Sequence, residues 1–235
     1  MQYSILLLSS SNVHGYGYLE YNRDAISEFV NGITTPLLFV PYAADKTEWD
    51  SYTDKIRSFF STFNIPVTGI HTIPQESVTE HEVIFIGGGN TFRLLCKLQE
   101  LGLLAVIRNA VLAGKMKYMG SSAGSNMAGK TICTTNDMPI VYPSGGFDAL
   151  NLFPYQINPH YQDPDAGSKH KGETRDQRIA EYHQASDTPV IGLREGAYLG
   201  ITATKEMYIG GESGAKIFEK GQEAYEVGEG GRLIL

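Results

Sequence analysis

Residues 117–126 read Lys-Tyr-Met-Gly-Ser-Ser-Ala-Gly-Ser-Asn, a short apolar run followed at once by small residues. Residues 117–119 have the pattern of a buried strand, and the residues after them allow a tight turn into a helix. The Gly-x-Ser-x-Gly pattern at 120–124 is typical of a nucleophile elbow, a strained turn that lifts Ser122 off the sheet. A turn that merely packs a helix against a strand gives the same pattern, so the motif alone leaves both interpretations open.

Strands and helices alternate on both sides of this stretch. Short apolar runs bounded by Gly, Pro, Ser or polar residues predict strands at residues 3–8, 36–40, 66–70, 83–86, 117–119 and 189–193. Helical periodicity predicts helices at residues 51–63, 92–101, 103–112 and 173–185. This order predicts an α/β fold in three α/β/α layers, with a mostly parallel sheet covered on both faces.

The last part of the chain has a different pattern. Short runs at residues 197–208, 216–219 and 224–227 are separated by glycine-rich turns, which predicts an antiparallel C-terminal extension of the sheet. No break in composition and no internal repeat divides the chain, so residues 1–235 are expected to form a single domain. In open parallel sheets ligands bind beyond the carboxyl ends of the strands, and candidate site residues are therefore sought there.

Composition excludes several classes of function. Nineteen Lys and Arg against 26 Asp and Glu give a net charge of −7, which argues against nucleic-acid binding. Cys96 and Cys133 are too few for a disulfide framework, and no Cys/His cluster indicates a metal site. No apolar stretch approaches the roughly 20 residues of a membrane span, and residues 5–8 are too short for a signal-peptide core. The expected protein is cytoplasmic and has no membrane partner.

Three consecutive glycines follow the predicted strand Val83–Ile86, in Gly-Gly-Gly-Asn-Thr at residues 87–91. Their spacing fits neither the dinucleotide-binding pattern nor the P-loop, although a phosphate cradle is one interpretation. The better one is an oxyanion hole, in which the N–H groups of Gly88 and Ala123 point at a developing negative oxygen. A turn that needs one glycine with positive φ remains the structural alternative.

A serine nucleophile needs a base, and His160 is the candidate among six histidines because it ends the apolar run at residues 152–159. A histidine with a purely structural role would fit the same position. Asp137 and Glu195 are the two acids that the sequence offers to orient it, and neither is preferred. Residues 169–178 concentrate four basic side chains, which indicates either recognition of an acidic group or a solvated helix start.

Six motifs, in this order along the chain, resemble the peptidase E (α-aspartyl dipeptidase) family. They lie at residues 87–91, 120–124, 134–141, 156–160, 171–175 and 192–196. The resemblance implies a fold like that of class I glutamine amidotransferases. It also implies a serine peptidase that hydrolyses dipeptides with an N-terminal aspartate and uses no metal or cofactor.

By motif, the resemblance makes Ser122 the nucleophile and His160 the base. Asp137 matches the position usually given as the third member of the triad, and Glu195 matches an acid also proposed for that role. Arg175 matches the arginine that binds the aspartyl side chain. Family members often carry a bulky aromatic residue where this sequence has Ser121, so the shape of the nearby pocket is expected to differ.

Two other functions remain open at this point. A cyanophycinase-like peptidase, which acts on aspartyl polymers, has the same nucleophile arrangement. A non-catalytic module with residues 87–89 around an anion would use the same sheet without turnover. The sequence leaves the oligomeric state and the preference at the second substrate residue undetermined.

Overall fold

The computed structural model describes residues 3–164, 167 and 172–233. The helices are α1 (Arg23–Val30), α2 (Trp49–Ser61), α3 (Thr91–Glu100), α4 (Leu103–Leu112), α5 (Ala123–Met127) and α6 (Arg175–Ala185). The strands are β1 (Tyr3–Leu8), β2 (Leu37–Val40), β3 (Val67–Gly69), β4 (Val83–Ile86), β5 (Lys117–Ser121), β6 (Gln156–Tyr161), β7 (Val190–Arg194), β8 (Tyr198–Thr202), β9 (Met207–Gly210), β10 (Ala215–Phe218), β11 (Tyr225–Val227) and β12 (Arg232–Leu233).

The larger sheet has the strand order β12-β9-β8-β1-β5-β4-β2-β3. Strands β1 to β5 pair in parallel, and β8, β9 and β12 extend the sheet beside β1 in antiparallel pairs. The predicted α/β fold with a mixed, mostly parallel sheet is confirmed. The carboxyl ends of β1, β4 and β5 lie side by side, which brings the segments that follow them to one edge.

A second sheet, of order β11-β10-β7-β6, was not predicted. Placing residues 189–193 in the main parallel sheet is wrong, because β7 pairs in parallel with β6 and antiparallel with β10. A short apolar run identifies a buried strand but does not identify its neighbours. The predicted antiparallel extension is correct for β8 and β9, but the runs at residues 216–219 and 224–227 form β10 and β11 of the second sheet and do not extend the large one.

Helices cover both faces of the large sheet, but the three-layer description is incomplete. Helices α1 and α2 pack on one face through residues such as Phe29 and Phe60. Helices α3, α4 and α5 share the other face with the second sheet, which contributes Ile191 and Ile217. Helix α6 covers the outer side of that second sheet through Ile179. Part of the molecule is thus four layers thick.

The first turn of α5 packs directly on the ends of two strands. A Cβ atom on Gly120 would lie 2.5 Å from the Gly124 carbonyl oxygen. A Cβ atom on Gly124 would overlap the Ile86 carbonyl oxygen at the end of β4. Only glycine fits at either position, because the two backbones are in contact where a side chain would have to lie.

We expect Gly124→Ala to lower the free energy of unfolding by about 1–3 kcal/mol or more, because the added methyl group must displace backbone. The measurement is urea unfolding followed by circular dichroism. Gly228→Ala is the matched control, since a Cβ at that position meets no atom within 4 Å. Its effect should stay within about 0.5 kcal/mol. Equal losses in the two variants would contradict the packing argument.

Candidate active site

Ser122 lies at the sharp junction between β5 and α5. Its backbone has φ 52° and ψ −109°, a conformation that non-glycine residues rarely adopt. The conformation is held from both sides: the Ser122 N–H donates to the Leu8 carbonyl oxygen (3.1 Å), and its own carbonyl accepts from Asn126 N–H (3.0 Å). Strain of this kind persists where the surrounding structure over-determines it, and it is common at functional sites.

The Ser122 hydroxyl meets the ring of His160, with 2.8 Å between Oγ and Nε2. The other ring nitrogen, Nδ1, lies 2.8 Å from Glu195 Oε1. A neutral imidazole that donates from Nδ1 to this carboxylate is left with Nε2 as an acceptor for the serine O–H. The three side chains therefore form one continuous hydrogen-bonded chain. It crosses from the large sheet, which carries Ser122, to the second sheet, which carries His160 and Glu195.

His160 occupies an irregularity in β6. The pairing of β6 with β7 shifts register between Pro159 and Tyr161, and His160 has a positive φ of 53°. A bulge of this kind re-aims one side chain out of the regular alternation of a strand. Here it directs the imidazole to Ser122 while Tyr161 stays buried.

Ser9, which directly follows β1, ties the two sheets together at this point. Its hydroxyl accepts a hydrogen bond from the His160 N–H (2.9 Å) and donates one to the Leu193 carbonyl oxygen in β7 (2.7 Å). The side chain is fully buried. One hydroxyl thus fixes the backbone of the strained histidine relative to β1 and β7. The sequence analysis did not identify Ser9 as a site residue, although it directly follows the carboxyl end of a parallel strand, where ligands bind in open sheets.

Asp137 binds the start of α3 and not His160. Its Oδ2 accepts hydrogen bonds from the Thr91 backbone N–H (2.7 Å) and from the Thr91 hydroxyl (2.6 Å), at the first turn of α3. The Asn90 side chain donates to the carbonyl of the next residue, Met138 (2.9 Å). These contacts anchor the 137–138 segment to α3. Of the two acids left open by the sequence, the structure brings Glu195 to His160 and does not bring Asp137 there.

The glycine loop after β4 lies beside Ser122, as the strand-end rule predicts. A Cβ atom on Gly88 would lie 3.2 Å from Ser122 Cβ. Within residues 3–164, 167 and 172–233, neither the Gly88 N–H nor the Ala123 N–H donates a hydrogen bond. Gly89 has φ +135°, and a Cβ there would lie 2.5 Å from the Ala43 carbonyl oxygen. The loop needs small residues both for its own conformation and for access to Ser122.

A cleft of about 360 Å³ opens over this group. Its walls include residues that the sequence did not point to, namely Ser10, Ser11, Asn12, Tyr18, Tyr52 and Lys55. Ser10, Ser11 and Asn12 come shortly after β1, at the carboxyl end of a parallel strand, where ligands bind in open sheets. That position alone could have identified them as candidates. Tyr52 and Lys55 lie on α2, where helical periodicity separates the apolar side from the polar side but does not indicate which residues border a cleft.

Tyr52 connects this wall to the glycine loop. Its hydroxyl lies 3.4 Å from the Gly88 carbonyl oxygen, to which it donates, and 3.1 Å from the Tyr18 hydroxyl. Burial raises the pKa of both tyrosines, and for Tyr18 well above its ordinary value. Both hydroxyls therefore stay neutral and keep their protons for hydrogen bonding.

Arg175 is the first residue of α6, directly after the N-cap Thr174, which forms a capping box with Gln177. The side chain is half-buried and is not among the residues that line the cleft. Burial, and then the charge of Arg178, lowers the pKa of the guanidinium, which nevertheless remains charged. Arg178 of the predicted cluster is also described, whereas Lys169, Lys171 and the intervening His170 lie outside the described residues.

The described residues contain neither a metal-binding cluster nor a membrane-spanning helix. No group of three or more His, Cys, Asp or Glu side chains is arranged to hold a metal ion in that part of the chain. No helix there is long and apolar enough to cross a membrane. Cys96 and Cys133 are both free thiols.

Comparison with protein families matches residues 5–209 to the family described as Peptidase family S51. The chain belongs to this family. The family identification made from the six motifs is confirmed, and the chain is therefore a peptidase of the S51 type. The match runs from β1 to β9, includes β6 and β7 of the second sheet, and contains Ser122, His160 and Glu195.

Relatives support the assignment over nearly the whole chain. A Drosophila melanogaster protein named "Probable alpha-aspartyl dipeptidase" is 46% identical over 219 residues, which cover 92% of this chain and 90% of that protein. "Peptidase E" of Streptomyces coelicolor is 44% identical over 232 residues, covering 98% and 93%. The solved structure of a peptidase from an acI-B1 actinobacterium shares the fold with a TM-score of 0.65 at 15% identity, covering 98% of this chain and 96% of that one.

We expect Ser9→Ala to slow the reaction of Ser122 with a fluorophosphonate by roughly 10- to 100-fold, because a small displacement of the imidazole beside Ser122 Oγ is costly. The same variant should lose about 1–3 kcal/mol of unfolding free energy, since the His160 N–H is left without its acceptor. Ser4→Ala, within β1 itself, is the control, because it removes one hydrogen bond, to Ile201 O (3.1 Å), outside the cleft. Unchanged labelling of Ser9→Ala would contradict a positioning role.

Proposed function

We propose that this S51 peptidase is a serine-type dipeptidase that releases the N-terminal aspartate of Asp-X dipeptides. The observation that carries the proposal is the hydrogen-bonded chain Ser122–His160–Glu195 at the floor of the cleft. The substrate class is supported by the names of the relatives, which are peptidase E and an α-aspartyl dipeptidase. The whole chain, residues 1–235, is proposed to act as one domain, because one apolar cluster joins both sheets.

In the first half of the proposed reaction, His160 Nε2 takes the Ser122 hydroxyl proton as Oγ attacks the carbonyl carbon of the Asp-X bond. The carbonyl oxygen becomes an oxyanion, which accepts hydrogen bonds from the N–H groups of Gly88 and Ala123. Both groups are adjacent to Ser122 and have no partner among the described residues. Loss of one such donor typically raises the barrier by about 3–4 kcal/mol.

The intermediate then collapses, and the C–N bond breaks. His160 gives its proton to the leaving amine of residue X, and the aspartyl group remains as an ester on Ser122 Oγ. In the second half, water loses a proton to His160 and attacks the ester. The bond to Oγ breaks, Ser122 regains its proton, and free aspartate leaves.

Glu195 is our proposal for the third member of the triad. Its carboxylate accepts from the ring nitrogen that faces away from Ser122, which orients the imidazole and stabilises its charged form during the reaction. For Asp137 we propose a structural role, since its carboxylate accepts two hydrogen bonds at the start of α3. This arrangement makes the triad Ser-His-Glu.

Arg175 is proposed to bind the side-chain carboxylate of the substrate aspartate. Its guanidinium is half-buried and makes no ion pair with any residue that the structure describes. A planar guanidinium can bind a carboxylate through two hydrogen bonds, which suits recognition of an acidic side chain in an acidic protein.

We also propose a fold related to that of class I glutamine amidotransferases, and a cytoplasmic location. The layered arrangement with the nucleophile at a β5–α5 turn is consistent with a class I glutamine amidotransferase-like fold. Two free cysteines are consistent with a reducing, cytoplasmic environment.

The triad assignment is tested by three variants assayed on Asp-Leu. Ser122→Ala should abolish turnover, and Glu195→Gln should lower kcat by roughly 10²- to 10⁴-fold, because the histidine loses its orienting charge. Asp137→Asn should keep kcat within a few-fold but lose about 1–2 kcal/mol of unfolding free energy. If Asp137→Asn lost activity and Glu195→Gln retained it, the two roles would be exchanged.

Substrate recognition is tested by Arg175→Met. The value of kcat/KM for Asp-Leu should fall by roughly 10- to 100-fold, because a charged hydrogen-bonded contact is lost, while slow cleavage of Ala-Leu should be unchanged. Arg178→Met is the matched control on the same helix, since its guanidinium lies 3.7 Å from Glu173 and has a partner already. An equal loss on both peptides in Arg175→Met would contradict the assignment.

A further inference from the structure

The cleft contains a cation that the proposed reaction does not use. Lys55 lines the same cleft as Ser122, and its ammonium nitrogen lies 3.8 Å from the centroid of the Tyr18 ring. Across the described ranges, Lys55 forms no ion pair. The acid beside it on α2, Asp54, is already paired with Arg57. Lys55 is also the one cationic side chain among the described residues that line the cleft.

Aromatic packing holds this lysine in place without neutralising it. Contact with the face of a tyrosine ring attracts an ammonium group and leaves its N–H donors available to a second partner. Tyr18 is in turn fixed by the hydrogen bond to Tyr52 (3.1 Å) and by an edge-to-face contact between the two rings. Because burial raises the pKa of the Tyr18 hydroxyl, this residue supplies no negative charge.

The position of Lys55 relative to the reacting atoms follows from α2. Tyr52 and Lys55 are three residues apart on this helix and are therefore neighbours on one face. Tyr52 contacts the carbonyl of Gly88, which is adjacent to Ser122. Lys55 is thus carried on the same side of α2 as the residue that contacts the loop proposed to bind the oxyanion, and it lines the same cleft as that loop.

An Asp-X dipeptide carries two carboxylates close to the scissile bond, one on the aspartyl side chain and one at the C-terminus. If Arg175 binds the first, as the proposed function holds, the second still needs a counter-charge. Glu195, whose side chain is half-exposed in the same cleft, would repel it. Lys55 is within the cleft, is positively charged and has no ion-pair partner among the described residues.

We propose that Lys55 binds the C-terminal carboxylate of the dipeptide and thereby selects substrates of two residues. This inference rests on the proposed dipeptidase activity. A longer peptide places a neutral amide where the carboxylate would lie, so its contact with the ammonium group is weaker because the charge of the acceptor is lost. Lys55 is then a specificity-determining residue, and the chemistry at Ser122 does not depend on it.

The test compares Asp-Leu with Asp-Leu-amide, which lacks only the terminal negative charge. For the unaltered enzyme we expect kcat/KM to be roughly 10- to 100-fold higher for Asp-Leu, because one charged hydrogen-bonded contact is at stake. Lys55→Gln should remove this preference by raising KM for Asp-Leu, with Asp-Leu-amide changed less than about two-fold. Lys55→Arg should retain most of the preference, since it keeps the charge.

Two controls make the outcomes distinct. Lys115→Gln removes an exposed lysine from a separate cleft that also contains Glu82 and Lys117, and both peptides should be cleaved as before. Cleavage of Asp-Leu-amide by Lys55→Gln itself reports that the variant is folded. Equal losses on both peptides, or no preference for Asp-Leu in the unaltered enzyme, would overturn the inference alone. Failure of the unaltered enzyme to cleave either peptide would overturn the proposed function.

Discussion

The backbone of α5 packs against the carboxyl end of β4 so closely that no side chain fits at Gly124 or Gly120. This contact fixes where the helix begins, and the chain between the two glycines has to make its turn in a very short space. As a result, Ser122 has a strained backbone conformation with positive φ, and its hydroxyl projects from the sheet. The glycine loop after β4 and the strained histidine in β6 are arranged around that one projecting atom.

Local sequence signals predicted the half of the site that lies on the large sheet. The strand Val83–Ile86 was predicted with its observed bounds, and the segment at residues 117–126 turns as the elbow motif indicates. These features depend on periodicity and on small residues in consecutive positions, which a single segment displays. His160 was predicted as a candidate for a similar reason, because it ends an apolar run.

The other half depends on contacts between distant segments. Packing between distant elements determines that β7 belongs to a second sheet. It also determines that Glu195, and not Asp137, lies beside His160, and that Lys55 lines the cleft. An acid in a turn has the same local sequence whether it caps a helix, as Asp137 does, or meets an imidazole. The resemblance to a known family identified the candidate site residues, but it left both Asp137 and Glu195 as candidates for the third member of the triad.

The irregularity at His160 has a consequence for how this strand can vary. Side chains alternate along a strand, and the register shift between Pro159 and Tyr161 is what turns the imidazole to Ser122 while Ile157 and Tyr161 remain buried. Gain or loss of a single residue within Gln156–Tyr161 would turn the buried side chains of the rest of the strand outward and the exposed ones inward. Changes of length are therefore compatible with the site only in the loops at either end of this strand, and not within it.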